Sequence, residues 1–286
     1  MRVNRREFPR ILDPHDYARE GYDLLAPSYD VDIGSNLIGI RMRRVFQAAL
    51  DKAFRPGDHV FEIGCGTGID ALRLARAGVE VVATDISEAM IAEVVVKARA
   101  EGISERVRCR ALAAKDIGLL RTEFGESSFD GGYSHAGALN MEPQIAAVPA
   151  SVRSLVRKSG EFVCSFINKT SLFEVVFYTA LLRPRKAFRR MGNVVPIPIS
   201  RKPPLNAYVV ATRFYSARDV ISLFDGGFSL VAVQGLQILL PPSNLTDLFA
   251  LFRPLFTPFE RLEDRISTVW PMSEWGHHTI LTFQRL

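Results

Sequence analysis

The chain has 286 residues, 48% of them apolar, which is enough to bury one large core or two small ones. Its formal net charge is +5, its three cysteines (Cys65, Cys109, Cys164) form no C-x-x-C pair, and no run of 18 apolar residues occurs. These features exclude a disulfide framework, a cysteine-based zinc site and a spanning helix, and they favour a reducing, cytoplasmic setting. The start, Met1 to Arg10, is basic but lacks an apolar h-region, so no signal peptide is expected.

Residues from about Asp13 to Phe54 are predicted to be helical. The segment Ala26-Pro27-Ser28-Tyr29-Asp30 breaks the pattern, and a second helix covers roughly Leu37 to Ala53. Arg55-Pro56-Gly57-Asp58 is a turn. The first strand starts near His59 and runs through Val60-Phe61-Glu62-Ile63 into Gly64-Cys65-Gly66-Thr67-Gly68. Ile69 to Ala77 has a helical pattern that Gly78 stops. A second apolar run, Val79 to Thr84, ends at Asp85. Ser87 caps a helix from Glu88 to about Glu101, closed by Gly102. Strand three is Val107 to Leu112, strand four lies within Ser127 to His135, and a helix from Gln144 to Arg157 leads to strand five, Gly160 to Ile167. This alternation predicts a parallel sheet covered by helices.

Two stretches interrupt the alternation. Lys169 to about Thr212 holds an apolar helix, Leu172 to Leu182, then a basic segment and a loop with Pro196, Pro198, Pro203 and Pro204. No acid occurs between Val175 and Arg218, while Arg183, Arg185, Lys186, Arg189, Arg190, Arg201, Lys202, Arg213 and Arg218 all fall there. Ser216 then caps a helix that Gly226-Gly227 stops, and Phe228 to Leu240 is strand six. Pro241 to about Glu274 is a second insertion, with Leu245, Leu248, Phe249, Phe252 and Phe256 at near-helical spacing. Trp275 to Gln284 is the last strand. No repeat, low-complexity stretch or linker separates two cores. One domain spanning 1–286 is therefore expected, with a helical segment over 1–56 and cap insertions at about 169–212 and 241–274.

The functional signal is the glycine turn after the first strand. Glycine tolerates positive φ and lets a ligand approach the backbone. The strand-to-helix junction collects free N–H groups at a helix N-terminus. A dinucleotide site wants G-x-G-x-x-G with a pyrophosphate over that terminus. Here the spacing is G-x-G-x-G, preceded by Glu62. An acid there repels a pyrophosphate and suits a cationic amino group, and Asp85 after the second strand suits the two hydroxyls of a ribose.

The stretch Val60 to Asp70 resembles motif I of the class I S-adenosylmethionine (SAM) methyltransferases, with Asp85 at their motif II position. The resemblance covers roughly residues 15–168 and 213–286. It implies an α/β fold: a doubly wound, Rossmann-like, seven-stranded sheet with helices on both faces and an antiparallel last strand. To this the helical N-terminal extension and the cap insertions are added. It implies SAM as cofactor, with Glu62 near the amino group, Gly64, Cys65, Gly66 and Gly68 in the closing loop, Asp85 on the ribose and Ile86 on the adenine. Ser134, just past strand four, faces the methionine part. The phrase Tyr22 to Asp30 resembles the segment that many small-molecule members lay over the cofactor, which places Tyr22 or Tyr29 near SAM or the acceptor. The chain departs from the family after strand three. Ala113 or Ala114 stands where an acid for the adenine amino group is expected, and either a backbone contact at Ala114 or the later Asp116 would have to replace it.

Methyl transfer is an in-line displacement, so orientation and exclusion of water are the protein's main tasks. An acceptor oxygen often needs a base near pH 7, and His135 follows strand four directly. Tyr22, Asn140, Phe249 and Phe252 are the candidate acceptor contacts, the two phenylalanines as part of an apolar lid. His277 and His278 lie mid-strand, one expected inward and one outward, while His15 and His59 read as surface or turn residues. No carboxylate cluster suggests a metal. The function expected is methylation of a small, hydrophobic acceptor of secondary-metabolite or lipid type. The alternatives are a nucleic-acid methyltransferase using the basic 183–202 segment and a non-catalytic SAM-binding protein. Nucleic acid is not expected as a partner, because aromatic residues are sparse in the cluster. Apolar caps leave a homodimer open.

Overall fold

A computed structural model describes residues 13–192, 194–200 and 208–286. Three helices open it: α1 (Pro14–Leu25), α2 (Tyr29–Gly34) and α3 (Leu37–Ala53). Asp13 caps α1 by accepting from the His15 N–H, and Pro14 takes the first helical position, where a missing N–H costs nothing. Pro27 sits in the one tight turn, Ala26–Ser28, between α1 and α2. Asn36 caps α3 by accepting from the Gly39 N–H at 2.9 Å. From there Phe46 and Leu50, four residues apart, bury one face of α3.

The expected alternation follows: β1 (His59–Ile63), α4 (Ile69–Arg76), β2 (Glu80–Asp85), α5 (Glu88–Ala100), β3 (Val107–Ala111), α6 (Leu120–Phe124), β4 (Phe129–Ser134), α7 (Val148–Leu155) and β5 (Val156–Ile167). The first insertion holds α8 (Leu172–Ala180), α9 (Pro184–Ala187), β6 (Val195–Pro198) and β7 (Val209–Thr212). The regular scheme resumes with α10 (Ala217–Phe224) and β8 (Phe228–Leu236), is broken by α11 (Thr246–Leu251) and α12 (Arg253–Ile266), and ends in β9 (His278–Arg285).

Seven strands form one sheet in the order β3-β2-β1-β4-β5-β9-β8. The pairs among β1 to β5 are parallel, and β9 runs antiparallel to both β5 and β8, so the last strand alone is reversed. The central strands are buried on both faces. Phe61, Ile63, Phe162 and Phe283 pack on one side, and Val60, Val81, Tyr133 and Val163 on the other. This is the alternation of a two-sided sheet. Each large side chain so buried stabilises the fold by about 1.5–3 kcal/mol. Strand order reverses between β1 and β4, and the crevice at their carboxyl ends is where ligands enter such sheets.

Several boundaries differ from the sequence reading. β8 stops at Leu236 rather than Leu240. The Glu263 carboxylate takes the N–H groups of Gln237, Ile238 and Leu239 at 2.9, 3.0 and 3.0 Å, so they have no ladder to join. β5 begins at Val156, four residues early, because Val156 pairs with Phe129 before an irregularity in the register. The 196–198 stretch is a strand, not a loop. Pro196 and Pro198 occupy the exposed positions of the two-stranded β6–β7 ribbon, where no donor is needed. His277 and His278 are both buried, correcting the inward–outward expectation. His277 lies just before β9, and its Nδ1 sits 2.9 Å from that of His278. Arg190 is not a surface cation either. It donates to Glu174 at 2.6 Å and to the Asn168 carbonyl at 2.8 Å, under Phe214. Arg201, Lys202, Pro203 and Pro204 lie outside the described residues.

Burial holds His135, His277 and His278 below the usual histidine range, His278 at about 3. In the unfolded chain each would take up a proton near pH 6.5, while in the folded chain each stays neutral. Stability is therefore present above pH 6.5 and is lost as pH falls below it. Urea unfolding should show a midpoint that drops between pH 7 and 5. The drop should be shallower in His278→Asn, and a pH-independent midpoint would contradict the burial argument.

Candidate active site

The cavity at the β1–β4 crevice has a volume of about 970 Å³ counting its open mouth. Its floor starts at the glycine turn. Gly64 has φ +72°, and a Cβ there would lie 2.4 Å from the Ala138 Cβ, so only glycine lets the turn meet the segment after β4. Gly66 donates its N–H to Asp85 Oδ2 at 2.8 Å, and Ser87 donates to Oδ1 at 2.9 Å. These two bonds aim the carboxylate and leave lone pairs toward the cavity. Burial pushes the Asp85 carboxyl up, and the two N–H groups partly offset it.

Glu62 is the one acid of β1, next to its last residue, and is buried on the cavity wall. Burial first, then the neighbouring Asp70 charge, raises its carboxyl well above the carboxylate range, against a hydrogen bond from the Tyr133 hydroxyl at 3.1 Å. Asp70, in the first turn of α4, behaves oppositely. Burial works against its charge, but the His135 imidazole, the Arg43 guanidinium and the Gln47 amide outweigh that and hold it at about 2. Gln47 Nε2 donates at 2.8 Å, and His135 Nδ1 lies 2.8 Å from Oδ2. Arg43 pairs with the same Oδ2.

An ionised carboxylate only accepts, so the Asp70 contact puts the hydrogen of neutral His135 on Nδ1. Its lone pair is then on Nε2. The ring is stacked on Phe46, with centroids 4.0 Å apart and planes 2° apart. Nε2 is buried, has no protein partner, and belongs to a residue of the cavity wall. Burial lowers the His135 pKa and Asp70 counteracts it, so the imidazole is neutral at pH 7. The arrangement is an oriented imidazole: a carboxylate fixes the tautomer and leaves Nε2 without a hydrogen-bond partner.

The roof comes from α1 and α2. Tyr29 lies over the glycine turn, its ring atoms 3.5–3.7 Å from where a Gly66 Cβ would be, and Tyr22 donates to the Met141 sulfur at 3.1 Å. His15 is a wall residue, not the surface residue expected. Its Nε2 lies 3.0 Å from Glu142 Oε1, and Glu142 also accepts the Lys115 N–H at 3.2 Å. Ile86, Ala113, Ala114 and Cys65 line the cavity, and Asp116 does not. Burial raises the Cys65 thiol pKa well above normal.

Five expected contacts lie off the wall. Gly68, at φ +81°, serves packing, since a Cβ would come within 2.8 Å of Val94 on α5. Ser134 turns back to donate to the Ile63 carbonyl at 2.9 Å. Asn140 is a clamp that donates to the Ile167 and Arg213 carbonyls at 3.0 and 2.7 Å and accepts from the Ile167 N–H at 2.8 Å. Phe249 packs with Ile38, Leu240 and Phe256, and Phe252 is exposed. The second insertion thus leans on α3 and does not form an acceptor lid. Sequence reasoning missed Arg43, Asp70, His15 and Glu142. An arginine on an amphipathic helix reads as solvated, and an acid in a first turn reads as a dipole partner. Among the described residues no group of His, Cys, Asp or Glu could hold a metal, and no helix is long and apolar enough to cross a membrane.

Residues 60–160 match the methyltransferase-domain family. A demethylmenaquinone methyltransferase of Mycobacterium marinum is 30% identical over 181 residues, which cover 61% of this chain and 71% of that protein. The chain belongs to the class I SAM-dependent methyltransferase family. A second relative, the demethylmenaquinone methyltransferase of Beutenbergia cavernae, is 32% identical over 153 residues. That match covers 53% of this chain and less than two thirds of the relative, 58% of it. The crystal structure of the cyclase SpnF shares the fold, with a TM-score of 0.63 at 15% identity over 96% of this chain and 97% of that one. SAM is the cofactor of this methyltransferase family, and the cavity fits it. Four wall carboxylates (Glu62, Asp70, Asp85, Glu142) face the single wall guanidinium of Arg43, which suits a sulfonium and repels a pyrophosphate.

Asp70→Asn should release the His135 tautomer. In NMR spectra of imidazole-labelled protein, wild-type His135 should show the Nδ1–H form alone, and the variant a mixture. An unchanged Nδ1–H form in the variant would mean that another group orients the ring.

Proposed function

We propose that the protein methylates a small, largely apolar organic acceptor that loses a proton in the step, with His135 as the general base. The observation that carries this is the unpartnered Nε2 of a histidine whose other nitrogen is fixed by Asp70. When bound, SAM supplies a methyl group already activated for in-line attack. Asp85 is positioned to take the ribose hydroxyls, and the side chains of Ile86, Ala113 and Ala114 to flank the adenine. Glu142, which lies on the same wall, supplies the carboxylate that the chain lacks after β3. Glu62 and Arg43 are placed to take the amino and carboxylate groups of the methionine moiety. His135 Nε2 removes the acceptor proton, Asp70 stabilises the imidazolium that results, and Phe46 keeps the ring from turning. Tyr22, Ala136, Ala138 and Met141 give the acceptor side of the wall its apolar character.

The curated relatives' name supports a small organic acceptor over a macromolecule. The nucleic-acid reading loses two of its cations, since Arg189 and Arg190 are engaged by buried Glu174. The three free cysteines support a reducing compartment such as the cytoplasm. A family fold does not decide the chemistry, so the base itself has to be tested.

The test is a panel of phenolic, quinol and enol acceptors, followed by mass spectrometry of methylated product and S-adenosylhomocysteine. With an accepted substrate, His135→Asn should lower kcat by about 10²–10⁴-fold and leave the affinity for S-adenosylhomocysteine within about threefold. The wild-type rate should be flat above pH 7 and fall in acid as His135 protonates below pH 6.5, because a protonated base accepts nothing. Full activity in His135→Asn would remove the base from the mechanism. SAM binding without product across the panel would favour the non-catalytic reading.

A further inference from the structure

Among the described residues neither insertion lines the cavity, yet both carry large apolar side chains in water. On α12, Phe252 at its N-cap, Leu255, Phe259 and Leu262 recur at i, i+3, i+7 and i+10, a single helical stripe. That stripe is exposed, Leu255 at 66%. The adjoining flank is the one that holds the helix to the body: Phe256 meets Phe249 and Phe173, and Glu263 binds the chain after β8. The Phe173–Phe256 contact, with ring centroids 6.5 Å apart, sets α8 beside α12. On α8 and on either side of α9, Val176, Leu181, Leu182, Phe188 and Met191 are also exposed, Leu182 at 89%.

Cations are interleaved with these apolar groups. Arg183, Arg185 and Lys186 are exposed, and so are Arg253, Arg261 and Arg265 on α12. The first insertion offers them no acid, since none occurs between Val175 and Arg218, and Glu174 is buried beneath Arg189 and Arg190. On α12, Asp264 is taken by Arg41 and Glu263 is buried, which leaves Glu260 as the acid beside three arginines. Large apolar groups left in water mark a contact surface. Apolar side chains ringed by arginine and lysine match an anionic bilayer, where the first enter the acyl boundary and the second meet phosphates. A second copy docked symmetrically on this face would set cations against cations, which disfavours a homodimer here.

We propose that the α8–α9 and α12 surface docks the protein on anionic lipid bilayers. The surface lies apart from the cavity wall, so the inference stands whether or not the base assignment does.

Co-sedimentation of the full chain with vesicles of phosphatidylcholine alone, or mixed with phosphatidylglycerol, tests it. Wild type should bind the mixed vesicles at low salt, release them as salt rises, and ignore the neutral ones. Arg185→Gln with Lys186→Gln should weaken partitioning roughly 25-fold, from two lost cations. Leu182→Asp with Leu255→Asp should abolish it. S-adenosylhomocysteine affinity should be unchanged in both variants, which shows that they are folded. Absence of binding to mixed vesicles would overturn the proposal, as would binding that survives both variants. Self-association by sedimentation equilibrium that the leucine variant abolishes, without vesicle binding, would assign the surface to a second copy instead.

Discussion

The site depends on one buried anion. The Asp70 carboxylate has almost no contact with water, and an uncompensated charge there would cost several kcal/mol. Three donors from two directions compensate it: Arg43 and Gln47 from α3, and His135 from the segment after β4. The same contacts therefore decide where α3 sits, how far the post-β4 segment closes, and which nitrogen of His135 is free. Arg43 and Gln47 are four residues apart, so one helical face delivers both donors. Phe46, between them, turns toward His135 and completes the clamp by stacking. Removing the anion would disturb packing and chemistry together.

A second consequence concerns charge sorting. Glu62, Asp70 and Asp85 crowd one cavity, and they do not share one fate. Asp70, with three donors, stays ionised. Glu62, with one hydroxyl donor and the Asp70 charge nearby, is pushed toward its neutral form. Asp85 lies between, steadied by the Gly66 and Ser87 N–H groups. A cation entering this cavity brings back what burial removed, since it favours the charged form of Glu62 and Asp85 alike. The cavity is thus matched to a positively charged ligand by the unfavourable state it is left in without one.

Much of this was legible in the sequence, and what was not had physical reasons. The first two strands were visible as apolar runs that lead into Glu62 and Asp85. Ser87 and Ser216 cap their helices as a local rule requires. Local rules fail where a side chain from elsewhere takes over the backbone. Glu263 ended β8 early across 26 residues of sequence, and the paired edge of β6–β7 hid behind its own prolines. His135 stood out in the sequence because it follows a strand at the switch point. Its partner was missed because nothing in a single sequence says that an acid 65 positions earlier lies 2.8 Å away. Glu142 was missed for the same reason, and Asn140 was misassigned because a buried amide that clamps backbone looks, in sequence, like one that meets a ligand.

The division of the molecule follows from these contacts. Sheet ends supply the half of the cavity that needs fixed carboxylates and close backbone, because strands hold such groups to tenths of an ångström. The remaining half is made by α1 and the post-β4 segment, tied by the His15–Glu142 bond and the Tyr22–Met141 contact. Helix α1 is in turn held from outside. A Cβ at Gly21 would come within 2.2 Å of the Ile199 side-chain tip and 3.2 Å of Tyr208, so the small residue lets the ribbon end lie close to that helix, where the Tyr208 and Tyr17 rings meet at a tilt, centroids 5.6 Å apart. The first insertion therefore acts on the site at second hand, by bracing the roof. The second acts at second hand as well, by packing α11 against α3, the helix that brings Arg43 and Gln47 to the buried anion. Both insertions keep their inner faces for this bracing, and it is their outer faces that carry apolar side chains into solvent.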